Sequence, residues 1–134
     1  MTGGAGRGVD PRRRRAEGRG RRAETIAAWF LRLKLYRILA RRYRTPVGEI
    51  DLVARRGRTI AFIEVKRRAS EAEAIAAVTQ AGRRRIARAA ALWIAAHPAA
   101  AGFDQRFDVV IALPGRLPRH LIGVFGRGGE SWSM

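Results

Sequence analysis

The strongest constraint on the fold is a pair of apolar segments on either side of a glycine turn. Residues 49–54 and 59–66 are rich in β-branched and apolar side chains, and Arg-Arg-Gly-Arg separates them. This pattern predicts a β-hairpin. A type II′ loop requires glycine at its first position, so Gly57 and Arg58 would form the loop and determine which residues of the two strands face each other.

The predicted register brings acidic side chains together. Asp51 lies opposite Glu64, and Glu49 lies opposite Lys66. Because side chains alternate along a strand, these four residues share one face of the hairpin. The apolar residues of the hairpin are expected on that same face at Val53, Ile60 and Phe62, and on the opposite face at Ile50, Leu52, Ile63 and Val65.

Two carboxylates in directly opposed positions need a cation. Their Cβ atoms lie about 4.5 to 5.5 Å apart, and like charges at this distance destabilise the strand pair. Mg²⁺ prefers oxygen ligands and shares its remaining positions with water and phosphate, so a metal site at Asp51 and Glu64 is one solution. The alternative is an ordinary ion network in which arginine side chains neutralise the acids. The residues alone leave both interpretations open.

Composition narrows the kinds of metal site. The chain has no cysteine and only two histidines, which excludes a thiolate zinc site and a multi-histidine site and leaves oxygen ligands. Lysine occurs only at Lys34 and Lys66 in this arginine-rich chain. The compact ammonium of Lys66 suits a position beside a metal or a phosphate, where a planar guanidinium would not be equivalent.

The charge of the chain indicates a polyanionic partner. The 134 residues contain 28 Lys+Arg and 11 Asp+Glu, for a formal net charge of +17. We therefore expect a nucleic-acid partner, although a general arginine bias would give the same charge. Arginines at 83, 84, 85 and 88 would either follow a nucleic-acid backbone or form a solvated helix face. No apolar run is long enough to span a membrane, so we expect a cytoplasmic protein with no membrane partner.

Periodicity divides the chain into one domain and two flanking segments. We expect a disordered basic Gly/Arg-rich tail at residues 1–22, an α/β domain at 23–125 and a flexible C-terminal end at 126–134. The elements of the domain follow the order αβββαββ. The first helix covers residues 23–34, and the second runs without a break from a capping box at Ser70 to His97. The side chains expected to face the core are Ile26, Trp29, Phe30 and Leu33 in the first helix, and Ile75, Val78, Ile86 and Trp93 in the second.

Four blocks of sequence, taken in order, resemble a known protein family. They are Ala23-Glu24, Arg44-Thr45-Pro46-Val47-Gly48-Glu49-Ile50-Asp51-Leu52, Phe62-Ile63-Glu64-Val65-Lys66-Arg67 and Arg106-Phe107-Asp108-Val109. They are similar to the blocks of the YraN-like proteins, a small bacterial branch of the restriction-endonuclease-like PD-(D/E)XK nuclease superfamily, akin to Holliday-junction resolvases. The resemblance spans residues 20–125 and implies a restriction-endonuclease-like core, with a mixed sheet flanked by two main helices.

The resemblance also implies roles for individual residues. The Asp51 and Glu64 positions would bind the metal together with the carbonyl of Val65. Lys66 would orient or activate the attacking water. Glu24 would approach the same site from the first helix and take part in catalysis.

The chain departs from the family pattern at two positions. Leu35 stands where the family often has glycine after the first helix, and Gly82 stands where the second helix often carries a basic or amide residue. Gln80 is an accessory candidate that would substitute for the missing side chain. Glu49 is a second accessory candidate, as an assistant to proton transfer.

These features together predict a nuclease. The first hypothesis is a metal-dependent endonuclease that uses Mg²⁺ or Mn²⁺ to hydrolyse phosphodiester bonds in DNA. The kinship with resolvases suggests branched DNA and is compatible with a homodimer. The alternative hypothesis is a non-catalytic nucleic-acid-binding protein that keeps the nuclease-like fold. A third hypothesis is an RNA-binding protein whose metal site is purely structural.

Overall fold

The computed structural model describes residues 11–125 and the side chains of residues 20–124. Both termini, including the predicted C-terminal end at 126–134 and residues 1–10 of the predicted tail, lie outside this range. The elements are α1 (Pro11–Leu33), β1 (Arg37–Thr45), β2 (Gly48–Arg56), β3 (Thr59–Arg67), α2 (Glu71–Ala76), α3 (Gln80–Ala96), a short 3₁₀ turn (Pro98–Ala100), β4 (Asp104–Ala112) and β5 (Arg119–Phe125).

The five strands form one mixed sheet in the order β1-β2-β3-β4-β5. Strands β3 and β4 are parallel, and the other neighbours are antiparallel. The register predicted for the hairpin is confirmed from Arg56–Thr59 to Leu52–Ile63. Gly57 has a φ of +61°, as the first position of a type II′ turn requires.

Helices cover the two faces of the sheet. Helices α2 and α3 form the crossover between the parallel strands β3 and β4, and α3 packs on one face through Ile86, Ala89, Ala90 and Trp93. Helix α1 packs on the other face through Ala27, Ala28 and Leu31. The mixed α/β architecture therefore agrees with the expected class, with one helix more than the predicted order contains.

The first helix differs from its prediction at its start and in its buried face. It begins at Pro11, so residues 11–22 of the predicted disordered tail are helical, which is compatible with the strong helix propensity of Arg, Ala and Glu and with proline at the first position. The expected core positions of Ile26, Trp29 and Leu33 are wrong, because these side chains are 51%, 60% and 80% exposed. Small residues face the sheet instead, and alanine allows the helix to lie close to the strands.

The end of α1 explains the unusual leucine at position 35. The N–H of Tyr36 donates to the carbonyl of Leu31 at 3.0 Å, and the N–H of Leu35 donates to the carbonyl of Arg32 at 2.9 Å. This pair of bonds is a Schellman motif. Leu35 occupies its left-handed position with a φ of +70°, where glycine is preferred. The helix therefore ends where it was predicted to end, but with a strained residue.

The second predicted helix is interrupted. Ser70 caps α2 by accepting from the N–H of Glu73, as expected, but α2 ends at Ala76. A new helix begins after Thr79, whose side chain accepts from the N–H of Gly82 at 3.0 Å. A Cβ on Gly82 would lie 3.1 Å from Thr79 Oγ1, so this cap favours glycine. The prediction of one continuous helix is wrong because Thr79 starts a second one.

The alternation of faces along β2 is also interrupted. Ile50 packs with Val53 and Trp93 in the core under α3, whereas Leu52 packs in the core under α1. The expected position of Ile50 on the same face as Leu52 is therefore wrong. The break lies opposite a distortion of the neighbouring strand, where Arg42 has a left-handed φ of +51° between the pairs Arg41–Leu52 and Tyr43–Ile50.

Membrane insertion finds no support in the helices. No helix within residues 11–125 combines the length and the apolar character that a membrane crossing requires.

Candidate metal centre

Three carboxylates from α1 and β2 converge at one end of the sheet. Glu24, Glu49 and Asp51 each offer a carboxylate oxygen, and these oxygens all lie within 4.8 Å of one another. Glu24 is buried against the sheet at 8% exposure, because it shares the helix face of the alanines that pack on the strands. The close approach of α1 therefore carries Glu24 to the two acids of β2.

Asp51 is the most perturbed acid of this group. Its Oδ2 accepts a hydrogen bond from the backbone N–H of Val65 at 2.8 Å. Burial raises the pKa of Asp51 to about 7, with the charges of Glu24, Glu64 and Glu49 acting in the same direction and the Val65 hydrogen bond opposing them. A carboxylate with such a pKa is a strong indicator of a functional site.

Glu64 and Lys66 lie on β3, the other strand of the hairpin. The ammonium of Lys66 is 2.7 Å from Glu64 Oε1. Glu64 lines a cavity of about 230 Å³ together with Glu49 and Asp51 from β2. The predicted catalytic residues Glu24, Asp51, Glu64 and Lys66 are thus brought to the same end of the sheet, where β2 begins and β3 ends.

The tightest acidic group differs from the predicted ligand set of Asp51, Glu64 and Val65. Glu24, Glu49 and Asp51 form the group whose carboxylate oxygens lie within 4.8 Å of one another, while Glu64 lines the same cavity as Glu49 and Asp51. Val65 contributes its N–H to the Asp51 side chain. Participation of the Val65 carbonyl and of Glu64 in metal binding stays a prediction.

Basic side chains partly neutralise the acids, as the ion-network alternative requires. Arg42 Nε lies 2.7 Å from Glu24, and Arg44 Nε lies 3.1 Å from Glu49. Within residues 20–124, no Lys or Arg forms an ion pair with Asp51. Among the described residues, the network therefore neutralises the three glutamates and leaves the half-buried Asp51 without a basic partner.

Helix α3 closes the cavity from the opposite side. Gly82, Arg85 and Ile86 line it. A Cβ on Gly48 would lie only 3.0 Å from the carbonyl oxygen of Arg85, so glycine permits the start of β2 to approach the helix. Arg85 is thereby placed next to the acids, where its charge can meet a phosphate.

The remaining predicted nucleic-acid contacts lie along α3. Arg84, Arg85 and Arg88 are exposed, and Arg83 is half-buried. Gln80 is the exposed first residue of the helix, and the residues that line the acidic cavity do not include it. Of the side chains predicted on this helix, Arg85 is the one that the structure brings to the acids.

A second charged cluster surrounds Asp108, away from the acidic cavity. Asp108 is 1% exposed and accepts hydrogen bonds from Arg106 Nε at 2.9 Å and from the N–H of Gly123 at 2.9 Å. His120 Nε2 lies 2.7 Å from its carboxylate, and Lys34 Nζ lies 2.6 Å from His120 Nδ1. Arg106 is thus the arginine that pairs with Asp108, and sequence reasoning missed Lys34 and His120.

Hydrogen bonds explain why a buried Asp108 remains charged. Burial raises the pKa of Asp108, but hydrogen bonds from His120, Arg106 and Gly123 outweigh burial and hold the pKa below its ordinary value. Burial and the charge of Arg56 lower the pKa of Lys34. Within residues 20–124 these groups bond to one another, so the cluster connects the residue that follows α1 with β4 and β5.

The chemistry of the first cluster fits a hard divalent cation. Its donors are all carboxylate oxygens, as Mg²⁺ and Mn²⁺ prefer. The oxygens are close enough to share one ion, and a positive charge beside the half-buried Asp51 would favour its ionised form. Glu24, Glu49 and Asp51 would hold the ion, with Glu64 across the cavity.

Comparison of the sequence with known proteins assigns the chain to a family. Residues 23–112 match the family described as Uncharacterised protein family UPF0102. A UPF0102 protein of Rhizobium johnstonii is 51% identical over 84% of this chain and 93% of its own. UPF0102 proteins of Nitrobacter winogradskyi and Methylorubrum extorquens are 54% and 53% identical, over 79% and 87% of this chain and 90% and 93% of theirs. The protein carrying this acidic centre belongs to the UPF0102 family.

Proposed function

We propose that the protein is a metal-dependent endonuclease that hydrolyses phosphodiester bonds in DNA. The observation that carries this proposal is Asp51, a half-buried acid with a pKa of about 7, whose carboxylate lies within 4.8 Å of those of two further acids and which has no ion-pair partner among the described side chains. Such an arrangement is costly unless a cation binds there. The mixed sheet with acids on two adjacent strands also supports a restriction-endonuclease-like core.

Each residue has a defined task in this proposal. Glu24, Glu49 and Asp51 would hold Mg²⁺ or Mn²⁺, which would supply Lewis acidity toward the scissile phosphate and toward the attacking water. Lys66, held by Glu64, places a positive charge where negative charge develops on the phosphate during attack. Arg85 binds a non-bridging phosphate oxygen from the α3 side. Glu49, the most exposed of the three acids, accepts the proton from the attacking water.

Cleavage of a labelled panel tests the proposal. The panel contains linear duplex, single strand, flap, four-way junction and an RNA hairpin, each with Mg²⁺, with Mn²⁺ or with a chelator. Glu64→Gln removes one charge from the cavity at constant size. Glu73→Gln removes the same charge from an exposed position on α2 and is the matched control. We expect metal-dependent cleavage by the wild type and Glu73→Gln and none by Glu64→Gln.

Equal cleavage by Glu64→Gln and the wild type would contradict the assignment of the site. Binding to the panel without cleavage under any metal would favour a second candidate, a non-catalytic nucleic-acid-binding protein. The ion pairs of Arg42, Arg44 and Lys66 with the glutamates favour this candidate, since they already neutralise most of the acidic charge. Preferential binding to the hairpin would indicate RNA as the partner.

A further inference from the structure

A groove lies beside the acidic cluster, on the α1 side of the sheet. It has a volume of about 290 Å³ and is lined by Arg22, Ala23 and Ile26 of α1, by Arg67 at the end of β3, and by the chain that follows β4. Ala23 directly precedes Glu24, and Arg67 directly follows Lys66. The groove is therefore a neighbour of the candidate metal centre and brings two guanidinium groups to it.

An apolar stripe continues from this groove along α1. Arg22, Ile26, Trp29 and Leu33 follow one another at spacings of four, three and four residues, which places them on one side of the helix. The three apolar side chains are 51%, 60% and 80% exposed, respectively. The guanidinium of Arg32 lies 5.2 Å from the centroid of the Trp29 ring. Contiguous exposed apolar side chains of this size mark an interaction surface.

Charge identifies the class of partner for this surface. Arg22 and Arg67 are exposed, and neither forms an ion pair with an acid in the described part of the chain. A cationic groove that leads to an exposed aromatic ring is the arrangement by which proteins bind unpaired nucleic acid, with phosphates in the groove and a base on the ring. A base inside a duplex has no free face for such stacking.

We propose that an unpaired nucleic-acid strand lies along this path, with a phosphate between Arg22 and Arg67 and a base stacked on Trp29. Trp29 lies seven positions after Arg22 in the helix, which corresponds to about 10 Å along the axis. Neighbouring nucleotides would therefore supply the phosphate at Arg22 and the base at Trp29. As the substrate class of the nuclease, this inference rests on the proposed function. The unpaired segment of a flap, a frayed end or a junction then lies beside the scissile phosphate.

Binding measured without metal tests the inference separately from catalysis. Fluorescence anisotropy of a labelled oligothymidylate is recorded with the full chain in a chelator, and compared with a blunt duplex. Trp29→Ala should lower the affinity for the oligothymidylate roughly tenfold and leave the duplex affinity unchanged. Trp29→Phe keeps an aromatic face and should restore most of the affinity. Leu92→Ala, at an exposed leucine of α3, is the matched control and should change neither.

Two further arms identify the contacts. On an abasic oligonucleotide of the same length, the wild type and Trp29→Ala should bind equally, because no base is left to stack. Arg22→Gln and Arg67→Gln should each weaken binding of both oligonucleotides and lower the slope of the logarithmic salt dependence by about one. A slope equal to that of the wild type in either variant would show that the substituted arginine does not contact a phosphate of the bound strand.

Three results would overturn the inference. Equal affinities of Trp29→Ala and the wild type for oligothymidylate would show that the ring does not stack. Equal losses on single strand and duplex would show a general surface effect. Dissociation of a dimer by Trp29→Ala, seen by sedimentation without nucleic acid, would assign the stripe to a second copy of the chain. None of these three results would exclude metal-dependent cleavage of duplex DNA. The proposed strand path and the proposed nuclease function can therefore be contradicted separately.

Discussion

The carboxylate of Asp51 accepts a hydrogen bond from the backbone N–H of Val65 across 2.8 Å, and so joins β2 to β3. The described backbone pairs between these strands run from Arg56–Thr59 to Leu52–Ile63. A side chain therefore provides a bond between the strands next to the last of these pairs. Asp51 consequently belongs to the sheet and to the acidic cavity at once, and its protonation affects both.

Replacement of Asp51 by asparagine should change how stability depends on pH. The pKa of Asp51 rises from 3.8 to about 7 on folding, so the folded protein holds this proton more tightly than the unfolded chain does. Its contribution is fully present below the unfolded pKa and is lost as pH rises through about 7. Without metal, we expect Asp51→Asn to gain stability relative to the wild type by about 2 to 4 kcal/mol between about pH 4 and pH 8. Urea unfolding at several pH values in this range measures the difference in the free energy of unfolding between the two proteins. A difference that does not change with pH would contradict the prediction.

The affinity for Mg²⁺ should depend on the same protonation of Asp51. Asp51 must lose its proton to become a ligand, so the affinity for Mg²⁺ should fall about tenfold per pH unit below about pH 7. A saturating concentration of Mg²⁺ should raise the melting temperature of the wild type and of Glu73→Gln. Asp51→Asn should bind Mg²⁺ much more weakly. Calorimetric titrations at several pH values give the affinities, and a pH-independent affinity would exclude Asp51 as a ligand.

Leu35→Gly should stabilise the protein. Leu35 has a φ of +70° at the end of α1 and is 81% exposed, so it has backbone strain and little packing to lose. Glycine adopts this conformation freely, and relief of strain exceeds its larger entropy loss on folding. We expect a gain of about 0.5 to 1 kcal/mol in the free energy of unfolding. Leu117→Gly, at an equally exposed leucine without a positive φ, should lose stability under the same denaturation conditions.

Asp108→Asn should destabilise the fold without affecting metal binding. The substitution removes a charge that holds Arg106 and His120 in place and leaves the guanidinium without its buried partner. Loss of one partner of a buried ion pair costs about 3 to 5 kcal/mol. Urea denaturation gives the loss of stability, and a Mg²⁺ titration of the folded variant should match that of the wild type. A large change in Mg²⁺ affinity would show that this cluster communicates with the acidic cavity.

The hairpin was predictable because its information is local. Gly57 determines the turn, and the turn determines the register, which places Asp51 and Glu64 beside the same cavity. The succession of helices and strands along the chain also follows from apolar periodicity, apart from the break between α2 and α3. Only the family resemblance predicted that Glu24 belongs to the site, because the sequence around Glu24 carries no information on its distance from β2.

The errors arose where tertiary packing overrides the local pattern. Large apolar side chains predicted the buried face of α1, yet Ala27 and Ala28 are buried and Trp29 is exposed. The sequence does contain one signal for the correct face, since Glu24 lies on the same side of the helix as these alanines. The break before Thr79 was also readable, because threonine followed three residues later by glycine suits a helix start better than a helix interior.

Ala27 and Ala28 have no functional group, yet they control the chemistry of the candidate site. Both are fully buried between α1 and the sheet, and Glu24 lies one turn away on the same helix. A larger side chain at either position would move the helix outward and carry Glu24 away from Asp51. The methyl groups of these alanines therefore act as spacers that determine the separation of the acidic oxygens, and ion affinity can be adjusted through residues that never touch the ion.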